Sequence, residues 1–157
     1  MIDHQQRAME LFKQGYNCSQ SVFASFSEDL SIDFETALKL SSSFGGGMGR
    51  LREVCGAVTA MFMIAGLKYG YTDPNDNDVK TAHYTLIQEL ASQFKAANDS
   101  IICRELLDLQ ENGPDSPISA LRTEEFYKTR PCVELVGSGA KIIEEMIISM
   151  DKNEGKK

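Results

Sequence analysis

Apolar positions recur along this chain three and four residues apart, and no run alternates with the two-residue period of a strand. The first such pattern spans 3–14 and ends at Gly15, a residue suited to the C′ position of a helix. A second helix is predicted after Asn17. Gln20 stands three positions on, which is capping-box spacing with Asn in the lead position, and Cys18, Val22 and Phe26 share one stripe. A third helix covers 33–44 and stops at Gly45-Gly46-Gly47. Beyond a loop at 48–52, an apolar helix is expected over 53–69, ending before Gly70. Its Gly56 and Gly66 each cost about 1 kcal/mol of helix propensity against alanine, so close packing or a nearby ligand is expected at both.

The turn around Pro74 leads into an amphipathic helix, 78–96, whose buried stripe reads as Val79, Ala82, Leu86, Leu90 and Phe94. Asn98, Asp99 and Ser100 offer caps for a short helix over 101–110, which holds Cys103. Residues 111–119, with Gly113, Pro114 and Pro117, read as a loop. The last helix opens at Arg130-Pro131-Cys132; proline suits a first helical position because its missing N–H would be unpaired there. Val133, Val136, Ala140, Ile143, Ile147 and Met150 form its stripe. The expected fold class is all-α: a single-domain bundle of six or seven helices over 1–150, with 151–157 as a disordered tail. No internal repeat or long linker divides it.

Composition narrows the functions. A chain of 157 residues, 42% hydrophobic and 25% charged, suits one globular domain that buries its core without staples. Its net charge of −7 argues against nucleic acid or an anionic membrane as a partner through bulk electrostatics. The longest apolar stretch, 54–67, falls short of the roughly 20 residues that span a bilayer, so membrane insertion is not expected. The opening MIDHQQRAMELF lacks the apolar centre of a secretory signal, and the chain reads as cytoplasmic. Structural disulfides are uncommon in that compartment. Four cysteines there point instead to metal binding, redox chemistry or packing.

Cys18, Cys55, Cys103 and Cys132 stand singly, each near the predicted start of a helix. Cys18 falls at about N1, Cys103 at about N3 and Cys132 at N2; Cys55 lies in a first turn if its helix begins at Arg52 or Glu53. Unpaired N–H groups and the positive end of the helix dipole favour a thiolate there. All four also fall on apolar stripes and are expected to point inward, where burial raises a thiol pKa while a helix start or a metal lowers it. No CxxC pair exists, which weakens zinc-ribbon, rubredoxin-like and thioredoxin-like readings, and no CxxCH indicates attached haem. A shared four-thiolate site requires the fold to gather four helix ends in one place.

The stretch 44–58, FGGGMGRLREVCGAV, is followed by Gly66-Leu67-Lys68-Tyr69-Gly70, preceded by Tyr16-Asn17-Cys18, and succeeded by two more single cysteines. Over nearly its full length the chain resembles a bacterial and archaeal family of proteins described as redox-active and named for a C…GCAxxG…C…C arrangement. The resemblance implies Cys18, Cys55, Cys103 and Cys132 as the family's four cysteines, and with them a redox or metal-linked role. One departure is visible: the segment reads Cys55-Gly56-Ala57-Val58-Thr59-Ala60, with Ala60 where the final glycine belongs.

Gly45, Gly46, Gly47 and Gly49, with Gly56, are candidate cofactor-binding positions, because successive backbone N–H groups can face an anion or cluster sulfurs. Arg50 and Arg52 are candidate neighbours of a thiolate. His4 is expected at a frayed helix start and His83 beside a buried stripe, neither as a ligand. Asp73, Asp76 and Asp78 lack the glycine and glutamate of a calcium loop, and Met61 and Met63 read as core filler. The leading expectation is four converging cysteines that hold an iron–sulfur cluster or zinc, or that cycle between dithiol and disulfide, with the shared centre placed first. A redox partner of unknown identity is expected; enzymatic activity and homo-oligomerisation are left open. The alternative is a non-catalytic helical binding or oligomerisation module whose cysteines are core residues.

Overall fold

Side-chain caps set most of the helix starts in the computed structural model, which describes residues 2–156. Asp3 accepts from the Gln6 N–H and opens α1 (His4–Lys13). Asn17 and Gln20 complete a reciprocal capping box at α2 (Cys18–Ser25), and Asp33 opens α3 (Phe34–Ser41). A 3-10 turn, Ser42–Phe44, and the glycine turn Gly45–Met48 then lead to α4 (Gly56–Tyr69). Asp76 caps α5 (Asn77–Asn98), α6 (Cys103–Leu106) is a single turn, Thr123 caps α7 (Glu124–Thr129), and α8 (Cys132–Glu154) closes the chain. Each side-chain cap satisfies a backbone N–H that a helix start leaves unpaired, worth about 1 kcal/mol.

The fold is an all-α single domain organised around α2. That short helix buries residues on every side, Ser19, Ser21, Val22, Phe23, Ala24 and Ser25, so it can be nothing but central. Its hydroxyls are accommodated locally: Ser21 Oγ donates to Asn17 O and Ser25 Oγ to Val22 O, each at 2.7 Å. Helices α1, α3, α4 and α8 pack around it, and α5 packs on α4 and α8. Phe23, Phe26, Met61, Ile64, Leu90, Phe94 and Ile143 are fully buried where these helices meet. The one β feature among the described residues is an isolated antiparallel bridge between Val54 and Ile102.

Several elements differ from the sequence expectation. Helix α4 starts at Gly56 rather than 53, because Val54 pairs with Ile102 in the bridge and the Cys55 N–H donates to Ile101 O. Helix α6 is far shorter than 101–110, and α7 is a helix that no periodicity signals. Helix α8 runs on to Glu154, into the segment read as a tail. On α5 only Leu90 and Phe94 are buried; Val79 and Ala82 are exposed, because the first half of this helix lies beyond the bundle. His4 is not frayed. It is 7% exposed, stacks on Phe26 with ring centroids 4.0 Å apart, and sits between Glu144 (Nδ1–Oε1 2.6 Å) and Asp29 (Nε2–Oδ2 2.7 Å).

The two glycines of α4 also part company. Gly66 is exposed, and a Cβ there would meet nothing within 4 Å. No packing or ligand accounts for it, so Gly66→Ala is expected to stabilise the protein by about 0.5–1 kcal/mol through helix propensity. A higher urea midpoint with an unchanged m-value checks this.

Candidate functional site

All four cysteines line one cavity of about 220 Å³. Each stands at a helix start: Cys18, Cys103 and Cys132 are the first residues of α2, α6 and α8, and Cys55 is the N-cap of α4. For Cys103 and Cys132 this is nearer the terminus than the sequence suggested. Local caps explain only α2. Cys55 and Cys103 are set by the bridge, in which Cys55 N–H donates to Ile101 O at 2.8 Å and Cys103 N–H to Glu53 O at 2.6 Å.

The loop between α3 and α4 closes this end of the bundle. Gly46, Gly47, Met48, Gly49, Arg50 and Arg52 all have positive φ, between 60° and 70°. Such a run is costly for the three non-glycine residues, and contacts on both sides hold it. Arg52 and Glu53 N–H groups donate to Gly46 and Gly47 carbonyls at 3.3 and 3.0 Å. Arg50 and Arg52 both reach Asp115, with Nη2–Oδ2 distances of 3.2 and 3.0 Å. The candidate glycines take different places. Gly45 and Gly46 line the cavity, while a Cβ at Gly47 would lie 2.6 Å from Cys103 Cβ. Gly49 faces only Ser43 O and stands away from the thiols. A Cβ at Gly56 would overlap Cys18 Sγ and lie 2.9 Å from Phe44 O and Ser19 N. Only glycine allows α2 and α4 to bring their first turns together.

That contact makes the four thiols unequal. Hydrogen bonding from Cys55 lowers the Cys18 pKa to about 6, with further help from the backbone N–H groups of Gly46, Gly56 and Ser19, against the opposing effect of burial. Cys55 is raised well above the usual thiol range, first by that same hydrogen bond and then by burial. The two share one charge, and Cys18 holds it because more N–H groups face its sulfur. Cys103 is raised by burial, partly offset by Arg52, whose Nη1 donates to Cys103 Sγ at 3.5 Å. Cys132 is pushed up to about 12, chiefly by burial. Cys18 and Cys132 are half-buried and open to the cavity, whereas Cys55 and Cys103 are buried.

Residues 16–146 match the model of a family described as "Putative redox-active protein (C_GCAxxG_C_C)". The chain belongs to that family. No curated protein and no solved structure matches it. All four cysteines of the family pattern fall inside the matched span and all four reach the cavity. The departure at Ala60 lies elsewhere: its side chain is fully buried in α4 and does not line the cavity.

Among the described residues, no three His, Cys, Asp or Glu side chains are grouped closely enough to hold a metal ion. The sulfurs thus share a cavity rather than one coordination shell, which for zinc requires Zn–S bonds of about 2.3 Å. No helix among the described residues is long and apolar enough to cross a membrane. Two cavity residues, Arg122 and Arg130, were given no role in the sequence reading, and neither was Asp115, which lies outside the cavity lining and holds Arg50 and Arg52. Arg130 stands two residues before Cys132, a usable signal; nothing local marks Arg122, which arrives from the loop before α7.

Proposed function

We propose that this chain is a thiol–disulfide redox protein in which Cys18 is the attacking thiolate and Cys55 the resolving thiol. The observation that carries the reading is the meeting of the two helix starts: Cys18, first residue of α2, packs its Sγ into the space left by the missing Gly56 side chain, next to the N-cap Cys55 of α4. Roles follow from exposure and charge. Cys18 is half-buried, ionised at neutral pH and reachable from the cavity; Cys55 is buried and protonated until a neighbouring sulfur is oxidised. An oxidised sulfur on Cys18 carries no negative charge, so it no longer holds the Cys55 pKa up, and Cys55 becomes the nucleophile for the second step.

The test is oxidation of the reduced protein with diamide, followed by disulfide mapping. One disulfide, Cys18–Cys55, is expected, with Cys103 and Cys132 recovered as thiols. Four unchanged thiols would leave the helical binding module in front. Iron and sulfide retained after anaerobic purification, with all four cysteines protected from alkylation, would replace the reading by the cluster.

A further inference from the structure

Four arginines line the thiol cavity: Arg50 and Arg52 are paired with Asp115, whereas Arg122 and Arg130 form no ion pair with an Asp or Glu among the described residues. Arg122 is tied into the fold. Its Nη1 and Nη2 donate to Phe12 O and Tyr16 O, both at 2.9 Å, and its plane packs 4.2 Å from the Phe12 ring centroid. Arg130 is not. It is half-buried, makes no side-chain hydrogen bond among the described residues, and stands 5.7 Å from the Phe126 ring centroid. Its charge is nevertheless felt by Cys103 and Cys132 across the cavity.

A partly desolvated guanidinium without a counter-ion gains most from an anion that enters beside it, and its planar fork suits a carboxylate. The remaining wall is largely apolar, with Phe12, Leu106, Phe126 and Leu135. We propose that the cavity takes a small disulfide with an apolar body and a carboxylate, the carboxylate on Arg130 and the sulfur–sulfur bond against Cys18. This rests on the thiol–disulfide reading above and adds the class of substrate.

Cys18 thiolate attacks one sulfur of R–S–S–R′; the Cys18–SR bond forms as S–SR′ breaks, and R′S⁻ leaves. R′S⁻ takes the Cys55 proton, and the new Cys55 thiolate attacks Cys18 Sγ, releasing RS⁻. The substrate disulfide is reduced to two thiols and the Cys18–Cys55 pair is oxidised to one disulfide. An external dithiol returns the pair to its reduced form.

Stopped-flow reaction of the reduced protein with two aromatic disulfides tests this: dithiobis(nitrobenzoate), which carries two carboxylates, and dithiodipyridine, which is neutral. Arg130→Gln is expected to slow the dicarboxylate about tenfold and the neutral disulfide less than about twofold, with the pH midpoint of the reaction unmoved. Arg130→Lys should recover part of the dicarboxylate rate. Lys128→Gln, which removes the same charge from the exposed face of α7, should alter neither. Equal slowing of both disulfides, or a loss accompanied by an upward shift of the midpoint, would overturn the proposal, since Arg130 would then act on the thiolate. Failure of both disulfides to react at Cys18 in the unaltered protein would instead sink the underlying thiol–disulfide reading.

Discussion

Alkylation of the reduced protein by iodoacetamide is expected to show one thiol whose rate is half-maximal near pH 6 and level above about pH 7. An ordinary thiol, with a pKa of about 8.5, would still be gaining rate well above neutrality. The distinguishing feature is the shape of this profile, not a large rate at pH 7. Lowering a thiol pKa raises the thiolate fraction but makes each thiolate less nucleophilic, so the two effects largely cancel at neutrality. Cys18→Ser should remove the low-pH component altogether. Cys55→Ala removes the largest cause of the shift, and the midpoint should move up into the ordinary thiol range. Cys55→Ser keeps a donor at the same place and should leave most of the shift intact. A midpoint unchanged in Cys55→Ala would show that the backbone N–H groups alone hold the charge.

The same ionisations couple folding to pH. Folded Cys18 lies below its unfolded value of about 9, so its contribution to stability is full above that value and is lost as the pH falls through about 6. Cys55 is shifted up, so its contribution is full below the unfolded value and is lost as the pH rises toward the folded one. The pair therefore favours the fold most between those limits.

The second large effect is expected at Gly56. Its missing side chain is the space that Cys18 Sγ occupies, and two backbone atoms, Phe44 O and Ser19 N, bound that space at 2.9 Å. The two backbone atoms cannot swing aside as the tip of a flexible side chain could. Gly56→Ala is expected to destabilise the protein by about 3 kcal/mol, although alanine is the better helix former, and to raise the alkylation midpoint by pushing α2 and α4 apart. Urea unfolding measures the first and the iodoacetamide profile the second. A Gly56→Ala protein as stable as the parent, with its midpoint still near 6, would mean that the two helix starts are not in contact.

These outcomes also show where sequence reasoning works and where it stops. The cap of α2 was legible because Asn17 and Gln20 answer each other within one turn, and that alone puts Cys18 at its helix start. The place of Cys55 was ambiguous because a strand-like bridge to Ile102, far along the chain, ends the extended segment and starts the helix. The left-handed run through Met48, Arg50 and Arg52 has no sequence signature either, as its non-glycine members are held there by Asp115 and by carbonyls of the same loop. Periodicity along α5 suggested a buried Val79 and Ala82, yet amphipathicity cannot say whether another helix arrives to cover the stripe. The list of four cysteines was legible. Their ranking was not, because it depends on which sulfur meets which donor.

The span of the site along the chain has a consequence in time. The charge on Cys18 needs the glycine turn, the α4 start and, through the bridge at Ile102, a segment made much later in synthesis. Until residue 103 has emerged and docked, Cys18 is an ordinary thiol on an unfinished chain. Reactivity at Cys18 thus depends on contacts with later parts of the chain, and the growing polypeptide is spared a reactive sulfur while it is most exposed to cross-linking with its neighbours.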